Sequence, residues 1–171
     1  LMSHDSDGFN RWSASQQLTF NELVRFLTAL ENHQQVVLNP VLVDAFRRLL
    51  EDDSLDKAMV ARMFELPSET YVAEQFETSD PQRIHLARES LRRQLAEALE
   101  TTLWSVYHSV PVGGAYHYKD TEVAKRSLRN ICLSYLMSLG TPQAYAASLL
   151  QYQSATHMTD QIAALRAVAH S

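Results

Sequence analysis

An all-α fold is predicted by three features of this sequence: apolar residues recurring at helical spacing, polar caps placed directly before prolines, and a shortage of turn residues. Only four glycines and five prolines occur in 171 residues, too few for a sheet rich in hairpins. Apolar residues make up 46% and charged residues 20%, a balance that favours a packed core over disorder. The expected architecture is about eight antiparallel helices on short links, stacked as an array of helical hairpins, a partial superhelix of solenoid type. The helices differ too much in length for a fixed repeat period. Residues 1–171 read as a single all-helical segment.

Each element has its own signal. Phe9, Trp12, Phe20, Leu23, Leu27 and Leu30 form the apolar stripe of a first helix, with Asp7 as N-cap. Asn39-Pro40 opens a second, because a proline at the first helical position lacks only an N–H that would be unpaired anyway. Ser54 and Ser68 are expected to cap two short helices. Asp80-Pro81 repeats the cap-plus-proline signal and starts the longest element, whose stripe runs from Ile84 to Val106. Pro111 and Gly113-Gly114 break it. A further stripe passes through Val123, Ser127, Leu128, Ile131, Cys132, Tyr135, Leu136 and Leu139, and Gly140 supplies the left-handed residue that closes a helix. Thr141-Pro142 begins the next, with Tyr145, Leu149 and Tyr152 facing inward. The last starts near Met158, with Ile162, Leu165 and Ala169 on its inner face.

Charge and composition exclude several functions. A net charge of −5 argues against a nucleic-acid module, which would carry a basic face. The basic residues Arg88, Arg92 and Arg93 are interleaved with Glu89, Glu97 and Glu100, as on a solvated helix face. No apolar run reaches the roughly 18 residues needed to span a bilayer, and no leader is visible, with Asp5 and Asp7 at the start. No membrane partner is expected. Cys132 is the only cysteine, so no internal disulfide forms, as suits a reducing compartment; the expected location is cytoplasmic. The chain begins at Leu1 and stops at Ser171 as a helix is ending, so both ends read as cuts in a longer protein.

Several dispersed runs then carry a resemblance. They are Asn10-Arg11-Trp12, Leu66-Pro67-Ser68-Glu69, Asp80-Pro81, Ala124-Lys125-Arg126-Ser127-Leu128-Arg129-Asn130 and Met158-Thr159-Asp160. In this order and spacing the chain resembles the C-terminal helical domain of the bacterial aminopeptidase N family, over essentially its whole length. Ser13 stands where the family often has an acidic residue, and His157 where it often has asparagine, the better helix cap.

The resemblance implies a multidomain zinc metallopeptidase that releases N-terminal amino acids from peptides. The family's zinc is held by His-Glu-x-x-His on a helix plus a distal glutamate, and a Gly-x-Met-x-Asn segment holds the substrate's amine. Neither motif occurs in this sequence. The chain therefore reads as roughly the first half of the helical domain, a non-catalytic segment, inactive alone, that helps enclose the substrate chamber. No catalytic, metal-binding or cofactor-binding residue is assigned; zinc is implied for the catalytic domain. The implied partners are that catalytic domain, in the same chain, and the parent's peptide substrates. The alternative reading is a stand-alone helical protein-interaction module.

Some residues invite a site and are better read structurally. Asp5-Ser6-Asp7-Gly8 opens like a calcium loop but lacks the later ligands. His85 and Glu89 share a helical face without a third ligand. Cys132 lies on an apolar stripe, where a thiol stays protonated and inert. Tyr116-His117-Tyr118 is the candidate contact loop. Arg11, Arg126, Arg129 and Asn130 fall among core-facing positions of the family-like segments. Arg129 and Asn130 are expected to tie neighbouring helices through hydrogen bonds, since a guanidinium can satisfy several carbonyls at once; the rival role for the arginines is lining a substrate channel. The last helix is apolar around much of its girth, which predicts self-association of the isolated chain.

Overall fold

The computed structural model describes residues 8–110, 120–156 and 158–169. Eight helices and no strand occur among them: α1 (Gly8–Glu31), α2 (Pro40–Glu51), α3 (Lys57–Met63), α4 (Glu69–Glu74), α5 (Pro81–Ser109), α6 (Asp120–Met137), α7 (Pro142–Ser154) and α8 (Met158–Ala169). The antiparallel pair α5–α6 is the spine of the array. Helices α1, α2 and α4 pack on α5, while α3, α7 and α8 pack on α6.

The caps that precede a proline form as the sequence requires. Asn39, Asp80 and Thr141 each accept a backbone N–H from the first turn that follows, and Ser68 does the same for α4. The expected cap Ser54 does not start α3. That cap is Asp56, which accepts from the Met59 amide, while Ser54 is held one turn earlier by Asp52 Oδ1. Two candidate caps two residues apart compete, and the carboxylate nearer the apolar run wins. The N-cap assigned to Asp7 and the position of His157 lie outside the described residues. Gly140 has φ +64° at the end of α6, as its left-handed role demands.

Helix α1 ends at Glu31 without a glycine to close it. His33 takes φ +53°, its amide bonds to Leu30 O, and Gln34 N bonds to Ala29 O at 2.8 Å. This pair of bonds is a Schellman closure with histidine where glycine is usual. The link that follows is fastened by two α-helical side chains. Gln94 of α5 donates to Val36 O at 3.0 Å and accepts from Leu38 N at 2.9 Å. Buried Glu22 of α1 accepts from Asn39 N at 2.9 Å and from Arg25.

The main core gathers leucines of α5 around three aromatic rings. Phe46 and Phe64 meet edge-on at 4.6 Å between centroids, and Phe64 and Tyr135 at 5.7 Å. The Tyr135 hydroxyl donates to Phe64 O at 2.7 Å, so α6 supplies a donor to the buried carbonyl that follows α3. Burial pushes the Tyr135 phenol well above its ordinary pKa.

Helices α7, α8 and the N-terminal half of α1 turn a different face inward than their apolar stripes predict, while Leu23 and the rest of the α1 stripe pack against the core. On α1 the buried residues include Arg11, Ser15, Thr19 and Glu22, while Phe9 and Trp12 are exposed. On α7 they are Ala144, Ser148 and Gln151, and on α8 Asp160, Ala164 and Ala167. Tyr145, Leu149, Tyr152, Ile162 and Leu165 face outward. Small residues let α7 and α8 approach closely, and Ser148 Oγ donates to Ala164 O across that contact at 2.9 Å. Packing distance, not side-chain hydrophobicity, selects the buried face here.

Candidate functional site: a buried polar network

Where α5, α6, α7 and α8 meet, their side chains form a connected set of hydrogen bonds. Arg129 of α6 is buried. Its Nη2 donates to the Tyr107 hydroxyl of α5 at 3.2 Å, and its Cζ lies 4.8 Å from the centroid of the same ring. The Tyr107 hydroxyl in turn lies 3.3 Å from both Ala147 O and Gln151 Oε1 of α7. Gln151 uses both amide protons, one to Asn130 Oδ1 at 2.8 Å and one to Asp160 O at 3.1 Å. Asn130 Nδ2 completes the set by donating to Asp160 Oδ1 at 3.0 Å.

This arrangement places Asp160 in the first turn of α8, where a carboxylate interacts favourably with the helix dipole. Asn130 and Gln151 each present a donor and an acceptor, so they relay between helices without an unmatched group. Arg129 Nε is the exception, buried without a partner.

Chemically the network is a cross-link. No side chain in it stands as a nucleophile beside a base, which acyl or peptide chemistry would need. The nearby thiol is also inert: burial pushes Cys132 up to about 12, leaving almost no thiolate near neutral pH.

Of the four residues singled out in the sequence, Arg129 and Asn130 lie in this network. Arg126 is half-buried on α6, one turn before Asn130. Arg11 is buried on α1 elsewhere. Its charge reaches Asp52, whose carboxyl is held below its usual pKa mainly by hydrogen bonds from Ser54 and in smaller part by Arg11. Tyr116, His117 and Tyr118, and the Asp5-Ser6-Asp7 run, fall outside the described residues. Sequence reasoning missed Tyr107, Gln151 and Asp160. Apart from the Gln151–Asp160 bond, nine residues long, the side-chain bonds that tie them in span 21 to 44 residues, so local spacing does not mark them. The Ala144, Ser148, Gln151 stripe could have signalled a close helix contact.

The donor set does not fit zinc. Among the described residues no group of three or more His, Cys, Asp or Glu side chains is placed to hold a metal ion. His85 Nδ1 pairs with Glu69 Oε1 of α4 at 2.9 Å, not with Glu89 of its own helix. No helix of the described residues is long and apolar enough to cross a membrane.

Comparisons with known proteins agree with this architecture. Aminopeptidase N of Escherichia coli strain K12 is 35% identical over 167 residues, covering 98% of this chain and 19% of the relative. Aminopeptidase N of Caulobacter vibrioides is 33% identical over 165 residues, covering 96% of this chain and again 19% of the relative. The chain thus spans about one fifth of the length of the curated relatives it matches. In fold it resembles Legionella pneumophila aminopeptidase A, solved by crystallography in complex with aspartic acid, with a TM-score of 0.79 and 24% identity over 98% of this chain and 20% of that one. A family model described as "Domain of unknown function (DUF3458_C) ARM repeats" matches residues 1–171. The stacked helices and the full-length match lead to one assignment: the chain belongs to the DUF3458_C family of ARM-repeat domains and is homologous to the helical C-terminal domain of aminopeptidase N.

Proposed function

We propose that this chain is a non-catalytic wall segment of a larger zinc aminopeptidase, enclosing part of the chamber in which peptides lose their N-terminal residues. The observation that carries the reading is the one-sided coverage. Relatives named aminopeptidase N match nearly all of this chain while the chain spans 19% of them. In this reading the zinc and its ligands belong to the part of the parent outside these residues, the catalytic domain is the covalent partner, and the parent works in the cytoplasm. The polar network fixes α7 and α8 against the α5–α6 spine and so sets the shape of the wall.

The test compares the purified 171-residue chain with its longer parent, both supplied with zinc, on aminoacyl anilides and on peptides of increasing length. The chain alone is expected to release nothing, and the parent to release N-terminal residues. Loosening the wall in the parent, by Gln151→Ala, should change the discrimination between short and long peptides more than the rate on an anilide. Release of amino acids by the chain alone would overturn the reading.

The outward apolar stripe of α7 and α8 has a consequence for the isolated chain. Leu149, Leu150 and Met158, all on the last hairpin, are 56%, 61% and 74% exposed. Surfaces of this kind associate. Sedimentation should show concentration-dependent oligomers that Leu149→Glu abolishes; a monomer at every concentration would contradict this.

A further inference from the structure

We propose that the cleft between α4, the first half of α5 and the end of α8 binds a carboxylate, held by Arg88 and Arg92. The cleft is lined by Glu69, His85, Arg88, Glu89, Arg92 and Ala169. Arg88 and Arg92 stand one turn apart on one face of α5, where side chains at i and i+4 are neighbours. Their side chains are 20% and 19% exposed, so two like charges are largely withdrawn from water side by side.

The carboxylates of the cleft answer those charges incompletely. Glu89 lies 3.9 Å from Arg88 Nη1 and 3.5 Å from Arg92 Nη1, both long beside the ~2.7–2.9 Å of a charge-assisted bond. Glu69 is engaged by His85 at 2.9 Å. Arg88 Nε has a partner in Pro67 O at 2.9 Å. Arg92 Nε has none and is closed to solvent, so a ligand in the cleft meets Arg92 through its Nη groups, whose ion pair with Glu89 is long. Arg88 is held below the ordinary guanidinium range, first by burial and then by Arg92; Glu89 and Glu69 pull the other way without restoring it.

The same geometry selects the ligand. A guanidinium fork matches the two oxygens of a carboxylate. Glu69 and Glu89 line the cleft and repel a second negative charge. A monoanion is therefore favoured over a phosphate dianion. Two sources share this chemistry: an Asp or Glu side chain from another part of the longer parent, and the free carboxylate of a peptide. The site does not depend on the chamber reading.

The test is an NMR titration of the 171-residue chain that follows the arginine Nε–H signals. The probes are N-acetyl-aspartate amide, its asparagine counterpart, and N-acetyl-alanyl-alanine with a free C-terminus. Both acidic probes are expected to shift the Arg92 signal saturably, and the asparagine probe to leave it in place. Arg92→Gln should abolish the response at Arg88. Arg93→Gln, which removes an exposed partner of Glu97, should keep it. Glu89→Gln should bind several-fold more tightly, because the competing carboxylate is gone; a pair of arginines with only a structural role would not respond that way. In the longer parent, a resident side chain would leave Arg92 already shifted and deaf to the probes, whereas a site for free peptides would still titrate. The proposal is overturned if the asparagine probe shifts Arg92 equally. It is also overturned if no probe moves Arg92 in the chain and its Nε–H in the parent exchanges as fast as that of Arg93.

Discussion

Along α5 the buried positions are dominated by Leu91, Leu95, Leu99 and Leu103, whereas along α7 they are Ala144, Ser148 and Gln151. The first helix is held by apolar area removed from water, which is non-directional and tolerates small rotations. The second is held by close approach of small residues and by hydrogen bonds that fix one rotation and one register. The large apolar residues of α7 and α8 remain outside. One array therefore contains a spine that would pack in roughly this way with many apolar sequences, and a terminal hairpin whose position depends on a few named atoms.

This contrast can be broken at either end, and the largest effect is expected in the spine. Leu95→Ala should cost about 2–5 kcal/mol, the range for a fully buried leucine whose cavity cannot collapse, while Leu149→Ala, on the outer face of α7, should stay within about 0.5 kcal/mol. Chemical denaturation of both variants checks the pair, and similar losses would show that α7 is buried on the wrong face here.

Next in size is the network. Arg129→Ala, Gln151→Ala and Asn130→Ala should each cost about 1–3 kcal/mol, because each strands buried partners. The Asn130→Ala and Asp160→Ala double-mutant cycle should give a coupling of roughly 0.5–3 kcal/mol. Additive losses, or an Arg129→Ala variant that melts at the parent temperature, would remove the network from the account.

A pH effect belongs to the spine. The Cys132 thiol has a folded value raised from 9.0 to about 12, so the folded state favours the neutral form. Its contribution is fully present below about pH 9 and is lost as pH rises toward 12. Cys132→Ala should flatten the alkaline fall in stability, and native Cys132 should resist alkylation until the chain unfolds. The smallest effect is at the end of α1. His33→Gly should stabilise by about 1 kcal/mol, since a side chain at positive φ is strained and glycine is not; a lower melting temperature would mean that the His33 side chain contributes something the backbone does not reveal.

What could be read from the sequence divides along the same line. The all-α class, the number of helices, and the starts at Asn39-Pro40, Ser68, Asp80-Pro81 and Thr141-Pro142 depend on neighbouring residues, and local chemistry decides them. The inward faces of α5 up to Leu95 and of much of α6 follow the expected stripes; beyond Leu95 the buried residues of α5 are Leu99, Leu103 and Tyr107, one position on from the expected line through Ala98, Thr102 and Val106. The faces of α7, α8 and the N-terminal half of α1 do not, because there the stripe of largest side chains and the stripe that meets a neighbour are different. Arg129 and Asn130 stood out through the segment that carries them, but Tyr107, Gln151 and Asp160 are joined to them only by folding. Gln94 and Glu22, which fasten the α1–α2 link, gave no signal at all for the same reason.

The most direct measurement of this division is hydrogen exchange on Gln151→Ala against the unaltered chain, resolved by helix. If the polar network is what fixes the terminal hairpin, amides of α7 and α8 lose protection while those of α5 and α3 keep theirs. Uniform loss across all helices, or no loss in α7 and α8, would show that the hairpin is held by the same apolar packing as the spine.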